Sequence, residues 1–457
     1  MSEPAVAGAP TLRRAVSRWQ VVGLSLNDVI GSGVYLLPAE AALILGGASV
    51  WAVVLAGFAV LLLVLCFAEA GSYFDRPGGA YLYTREAFGP LIGFEVGWMT
   101  WIARVASVAS LSVGFARALG YLWPATRGGW GEVLAIALPL LALTAINIVG
   151  VRSGVRTAVF LAVTKIVPLL VFIGAGIMAV NPELVGTETA REGTLGEAAL
   201  LLLFAYAGFE NTAAPAGEFK NPRRDVPFAL ITQIVIVTLI YSAVQWIALG
   251  TLPGVAQSKT PLADAARLFL GPWGGLLLTF GAVVSILGTN SNTVLAGPRY
   301  LFALAEDGFG PRALAWLHPR YRTPAVAILA QSAIALPLAL TGSTLVQEGL
   351  RLPPALQGSF AKLALLSVVA RLATYLGTAA AVPVLRRKLR DSPGALRLPG
   401  GPLIPAAAVL LCIVFATSAK PANLIAGAVA LGVGLLIYAF RRPPLPPRVE
   451  PTGEPPR

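Results

Sequence analysis

Twelve stretches of this sequence are apolar for long enough to cross a lipid bilayer, and that pattern limits the fold more than any other feature. A crossing helix needs about 20 mostly apolar residues. The stretches fall at 20–45, 50–72, 90–118, 132–149, 158–180, 195–216, 227–250, 273–304, 324–342, 362–385, 402–418 and 421–440, the last two meeting at Lys420. The blocks are long and continuous, not segments of about 10 residues with alternating polarity, so a strand-built barrel is not expected. Only 12% of the 457 residues are charged and 56% are hydrophobic. A soluble domain carries about 25% charged residues, and no protein core absorbs this much apolar surface. The expectation is one all-α, polytopic membrane protein with twelve transmembrane helices.

The basic residues orient it. Twelve spans put both chain ends on one side. Residues at span ends (Arg117, Arg299, Lys362) are assigned to the nearer face. On that basis 23 of the 34 Lys and Arg lie on the face of the termini and eight on the other, with Arg104, Lys165 and Arg371 inside spans. Positive loops stay in the cytoplasm, so both termini are expected there, in a cell membrane. The net charge of +12 therefore reads as topology and affinity for anionic lipid, not as nucleic-acid binding. Arg13, Arg14 and Arg18 precede what looks like a retained first helix, not a cleaved signal peptide. Cys66 and Cys412 sit inside apolar stretches and read as buried thiols. His318, the sole histidine, lies in a basic loop. With no metal-ligand spacing and no cluster of nucleophiles or acid–base pairs, neither a metal site nor an enzyme is expected, and no cofactor. Residues 1–18 and 443–457 read as polar, disordered cytoplasmic tails.

Two spans carry interruptions that a simple anchor does not need. The first reads SLNDVIGSGVYLLPA, with Gly31 and Gly33 around Ser32, Asp28 before and Pro38 after. The sixth reads LLLFAYAGFENTAAPAGE, with Gly208, Glu210 and then Pro215. Glycine frees the backbone to unwind. Unwound backbone inside a membrane must be buried in protein or line a wet cavity. The first span opens one set of five helices and the sixth opens the next. Interruptions at matching positions of two halves point to a transporter with its site near the midplane. Glycines at helix contacts are the alternative for any one of them.

The motifs NDVIGSGVYLLPA, GGAYLYTREAFGPLIGFEVGW, AYAGFENTAAPAGEFKNPRRDVP, NSNTVLAGPRYLFALAEDGFGP and RLATYLGTAAAVPVLRR resemble, in this order, those of the amino acid–polyamine–organocation superfamily. The resemblance covers about residues 18–440. It implies a five-plus-five inverted repeat of the leucine-transporter-like fold over 19–390, discontinuous helices one and six, and two additional helices over 391–442. It implies a transporter of amino acids or related amines, working by proton symport or exchange. Carried over by position, Ile30, Gly31, Ser32 and Gly33 are implied at the substrate carboxylate. Phe204, Ala205, Ala207 and Gly208 are implied at the amine and side chain, with Phe204 where relatives place an aromatic gate. Free N–H groups suit a carboxylate, and carbonyls suit an ammonium.

Charge inside a bilayer is a functional hypothesis by default. At 1.5 Å per residue, Asp28 lies about 12 Å and Lys165 about 10 Å from the inner side, and Glu210 about 22 Å down from the outer side. The three are expected to share a neighbourhood as coupling or gating groups. The resemblance puts Lys165 where some proton-coupled members carry a lysine in place of a sodium site. An ammonium stripped of water gives up its proton more readily than one in solution, so protons are the expected coupling ion. The alternative is a lysine snorkelling to the surface. Arg104 and Arg371 fall in the outer half, as structural charges paired with acids or carbonyls, or as attractors of an anionic group. Glu95 is expected to face the cytoplasm, and Trp98 and Trp101 to pack or line the cavity. The favoured solute is a neutral amino acid, with exchange of cationic amino acids or polyamines as the alternative and a channel or receptor as the rival class. Monomer and dimer are both open.

Overall fold

The computed structural model describes residues 16–440 except 75–78, 150–154, 188–192, 213–218, 322, 355, 391, 393 and 394. Residues 1–15, 441–457 and Pro215 lie outside the described residues. The helices are α1 (Arg18–Val29), α2 (Gly33–Leu45), α3 (Ser49–Ser72), α4 (Gly79–Phe88), α5 (Pro90–Leu122), α6 (Gly129–Val149), α7 (Val155–Gly176), the single turn α8 (Pro182–Val185), α9 (Leu195–Tyr206), α10 (Pro222–Thr251), α11 (Pro261–Glu306), α12 (Ala325–Leu340), α13 (Thr344–Gly349), α14 (Phe360–Lys388), α15 (Leu403–Thr417) and α16 (Pro421–Phe440). Each of the twelve apolar stretches overlaps at least one of them. Seven helical stretches among the described residues are long and apolar enough to cross a membrane by length and composition, and three shorter apolar helices accompany them. Helices α1 and α9, of 12 residues each, are too short alone, because each stops at an interruption.

The first span breaks between Val29 and Gly33. Ile30 turns extended (φ −72°, ψ 98°) and Ser32 restarts the helix as its N-cap. The sixth breaks after Tyr206, where Ala207 is extended (φ −69°, ψ 146°) and Gly208 takes φ 126°. Only glycine adopts that φ without strain. The breaks are also pressed together. A Cβ on Gly208 would lie 2.5 Å from the Asp28 carbonyl oxygen, and one on Gly33 would lie 2.5 Å from Ala205 Cα. The glycines therefore let α1–α2 and α9 cross backbone to backbone, as small residues do in membranes.

Around this crossing, α1 packs on α7 and α10, and α2 on α9. The long α5 runs against α11 and α14. Helices α15 and α16 lie outside, with Leu403, Leu410, Ile425 and Phe440 exposed, as lipid-facing residues are. Helix α11 starts well before the expected 273. It bends at Gly271 (φ 69°), just before Pro272, so its first turns lie outside the apolar stretch. Helix α4 is amphipathic and was not among the expected elements. It is clamped to the end of α11 by Asp307, which accepts from Tyr81 and from Arg85 (2.9 Å). Of the expected tail 1–18, residue 16 is already structured: Val16 is buried and bridges to Phe219.

Candidate functional site: a pocket between two broken helices

The breaks open into a small central pocket. Gly31, Ser32, Gly33, Phe204, Ala205, Ala207 and Gly208 all line it, with Asp28, and Arg104, Arg371 and Asn292 complete the polar wall. Ile30 is buried but contributes its carbonyl to the scaffold rather than the lining. The first N–H groups of α2 face no earlier turn, so they have no partner within the helix. The Ser32 hydroxyl and Asn27 Oδ1 also lack partners among the described residues. Free N–H groups and an unpartnered hydroxyl at a helix N-terminus are donors of the kind an anion accepts from.

Lys165 lies behind the first break and is 0% exposed, which rules out snorkelling. Its Nζ donates to the carbonyls of Asn27 (3.0 Å) and Ile30 (3.2 Å) and to Thr289 Oγ1 (3.2 Å). The three donors of an ammonium are thus all used, and they join α1, the break and α11. Ser285 Oγ adds a donation to the Ile30 carbonyl (3.1 Å). Tyr241 Oη reaches the Val29 carbonyl (3.4 Å) and the Ala205 carbonyl (3.1 Å), one from each broken helix. Asp28 accepts from Asn292 Nδ2 at 2.6 Å.

Glu210 corrects the expected grouping. It does not join Lys165 but ties the second break to α5 and α14. Its Oε1 accepts from Arg371 and from Arg104 Nη2 (3.3 Å), and its Oε2 from the Gly208 N–H (2.9 Å). Arg371 spends its other donors on Ser107 (2.8 Å) and Ser367 (3.2 Å). The depth ruler assumed a continuous helix, but α9 ends at Tyr206, so Glu210 does not descend a further 1.5 Å per residue. Glu95 is buried, and neither carboxylate oxygen has a partner among the described residues; it does not face solvent as expected. Trp98 and Trp101 pack against each other, tilted by 43° with centroids 5.0 Å apart, away from the pocket lining.

Phe204 closes one end of the pocket. Its ring meets Phe360 edge to face at 5.8 Å between centroids. Phe360 also lines a second, wider vestibule, where Arg117 covers the same ring and pairs with Glu40 at 3.1 Å.

A family model described as amino acid permease matches residues 16–451. The chain belongs to the amino acid permease family. It is thereby a member of the amino acid–polyamine–organocation superfamily and a multi-pass membrane transporter. The permease is 27% identical to the branched-chain amino acid permease of Bacillus subtilis, over 95% of this chain and 94% of that one. It is 29% identical to the serine/threonine exchanger of the same organism, over 93% and 94%. It is 26% identical to that organism's methylthioribose transporter, over 94% and 93%.

Sequence reasoning missed Asn292, Thr289 and Tyr241. The first two lie in and just before the quoted NSNTV motif, where a run of polar residues in an apolar helix was the available signal. Tyr241 carried none: a tyrosine in an apolar span is ordinary.

Proposed function

We propose that this permease is a secondary active transporter of amino acids that works by alternating access, is coupled to protons and does not need sodium. The observation that carries the coupling is Lys165, an ammonium enclosed by three oxygens at 3.0–3.2 Å on both sides of a helix break. It occupies the kind of oxygen cage that a bound cation would need. Loss of its proton leaves fewer donors for these oxygens and loosens the first break from α11, which links protonation to the shape of the pocket. The carboxylate of the solute sits on the N-terminus of α2 and its ammonium at carbonyls of the second break. Phe204 and Phe360 separate the pocket from the vestibule. The excess of basic residues on the opposite face supports a cytoplasmic position for that face and both termini, with the vestibule external.

Uptake of labelled amino acids into proteoliposomes tests this. Uptake should follow an imposed pH gradient, persist when choline replaces sodium, and lose its pH-gradient dependence in Lys165→Met. Uptake that requires sodium and ignores the pH gradient would refute the coupling. The likeness to a serine/threonine exchanger favours exchange as a second reading. Uptake that occurs only when amino acid is preloaded inside the vesicle would select it.

A further inference from the structure

Among the described residues, the pocket and its surround hold one more cation than anion. Arg104, Arg371 and Lys165 face Asp28 and Glu210 there, which leaves a formal excess of +1. Glu210 accepts from both guanidiniums, but Arg371 completes its hydrogen bonds with Ser107 and Ser367. Arg104 does not. Its Nη2 reaches Glu210 and Asn211, while its Nε has no partner among the described residues. The side chain is only 3% exposed. Asp28 makes no hydrogen bond to Arg104 among the described residues, and its Oδ1 accepts from Asn292. A buried guanidinium with an idle N–H that shares its one carboxylate with a second guanidinium is costly to keep. Its side chain lines the pocket.

An amino acid anchored at the two breaks leaves its side chain to the remaining walls, which are α5, α11 and α14. There the polar groups are Arg104, Ser107, Thr289, Asn292, Thr293 and Arg371, and only the two arginines are charged. We propose that Arg104 binds a carboxylate on the substrate side chain, and that the preferred substrate is an acidic amino acid. This rests on the amino acid reading above. An acidic amino acid carries −1 and brings the occupied site to neutrality. The same excess charge repels cationic amino acids and polyamines, and it replaces the sequence-based preference for a neutral solute with an acidic one.

The experiment is competition for uptake into proteoliposomes of the full chain, with aspartate and glutamate set against their amide counterparts asparagine and glutamine, and against leucine, serine and arginine. The acids should half-inhibit at concentrations at least about tenfold below the amides, as expected for a charge-assisted hydrogen bond. Arg104→Gln should weaken the acids by about 10- to 100-fold while changing the amides much less, and Arg104→Lys should keep part of the preference. The ranking on the unmodified protein decides the matter even if the variants fail to fold. Amides or leucine competing as well as the acids would overturn the proposal. So would an equal loss for every substrate in Arg104→Gln, which would move Arg104 to the common carboxylate or the scaffold. Uptake of neutral or cationic amino acids alone sinks this proposal and leaves the transporter reading standing; no amino acid uptake at all sinks both.

Discussion

Replacing Glu210 with glutamine should destabilise the permease by about 3–5 kcal/mol, the range for removing one partner of a buried ion pair. The shape is conserved, so the cost is electrostatic. Glu210 Oε1 is shared by Arg371 and Arg104, and Oε2 accepts from the Gly208 N–H at 2.9 Å and Tyr375 Oη at 3.5 Å. A glutamine has one acceptor oxygen for these two sites. Turned one way, its amide N–H groups point at two guanidiniums. Turned the other way, they meet the Gly208 N–H. One donor faces another in both cases, and two buried cations lose their counter-ion. The loss of a charge-assisted hydrogen bond alone is worth about 1.5–3 kcal/mol, and it is contained within the larger figure. Unfolding in mixed micelles with rising dodecyl sulfate would measure it, in a cycle with Arg371→Gln. The double variant should lose less than the two single losses added, because the second change removes the stranded cation. A cost below about 1 kcal/mol for Glu210→Gln would equal that of an exposed pair and would refute the view that this carboxylate locks the second break.

Gly208→Ala should reduce transport by more than tenfold, because φ 126° is strained for alanine and its Cβ would meet the Asp28 carbonyl oxygen at 2.5 Å; Gly432→Ala on α16, with nothing within 4 Å, is the control that should leave uptake rates intact. Tyr241→Phe removes a donation to the carbonyls of two broken helices and should cost about 1 kcal/mol in the same unfolding assay. Glu40→Gln breaks a pair with Arg117 in which the side chains are 21% and 23% exposed, so its effect on stability should stay below about 1 kcal/mol and vanish in high salt. Asp307→Asn takes the counter-charge from Arg85 and the acceptor shared with Tyr81; protease accessibility of the α4 region should rise, and an unchanged digestion pattern would show that the clamp is dispensable.

Several features of the site were legible because they depend on residue type and order. Gly31, Gly33 and Gly208 announced breaks, since a membrane helix has little use for clustered glycines beside acids. Lys165 announced itself because an unpaired ammonium is rare in an apolar run. The partners of these groups were not legible. Nothing in the order of residues says that Glu210 meets Arg371, 161 positions away, and the depth ruler that separated them depended on a helix that stops four residues earlier. The idle Nε of Arg104 is likewise invisible until every neighbouring acceptor has been placed. Helix α4 escaped notice because it lies between spans, where hydropathy gives no signal.

The sequence by itself determined that this chain lives in a membrane, which stretches are apolar enough to cross it, and where two of them break. Those properties follow from the solvent: lipid selects apolar length, and glycine sets where the backbone can unwind. Only the tertiary structure decided that the two breaks touch through Gly208 and Asp28, that Lys165 fills a cage of oxygens, and that Arg104 and Arg371 share the Glu210 carboxylate. Pairing of buried charges is a matter of distances across helices, and those distances come from packing rather than from spacing along the chain.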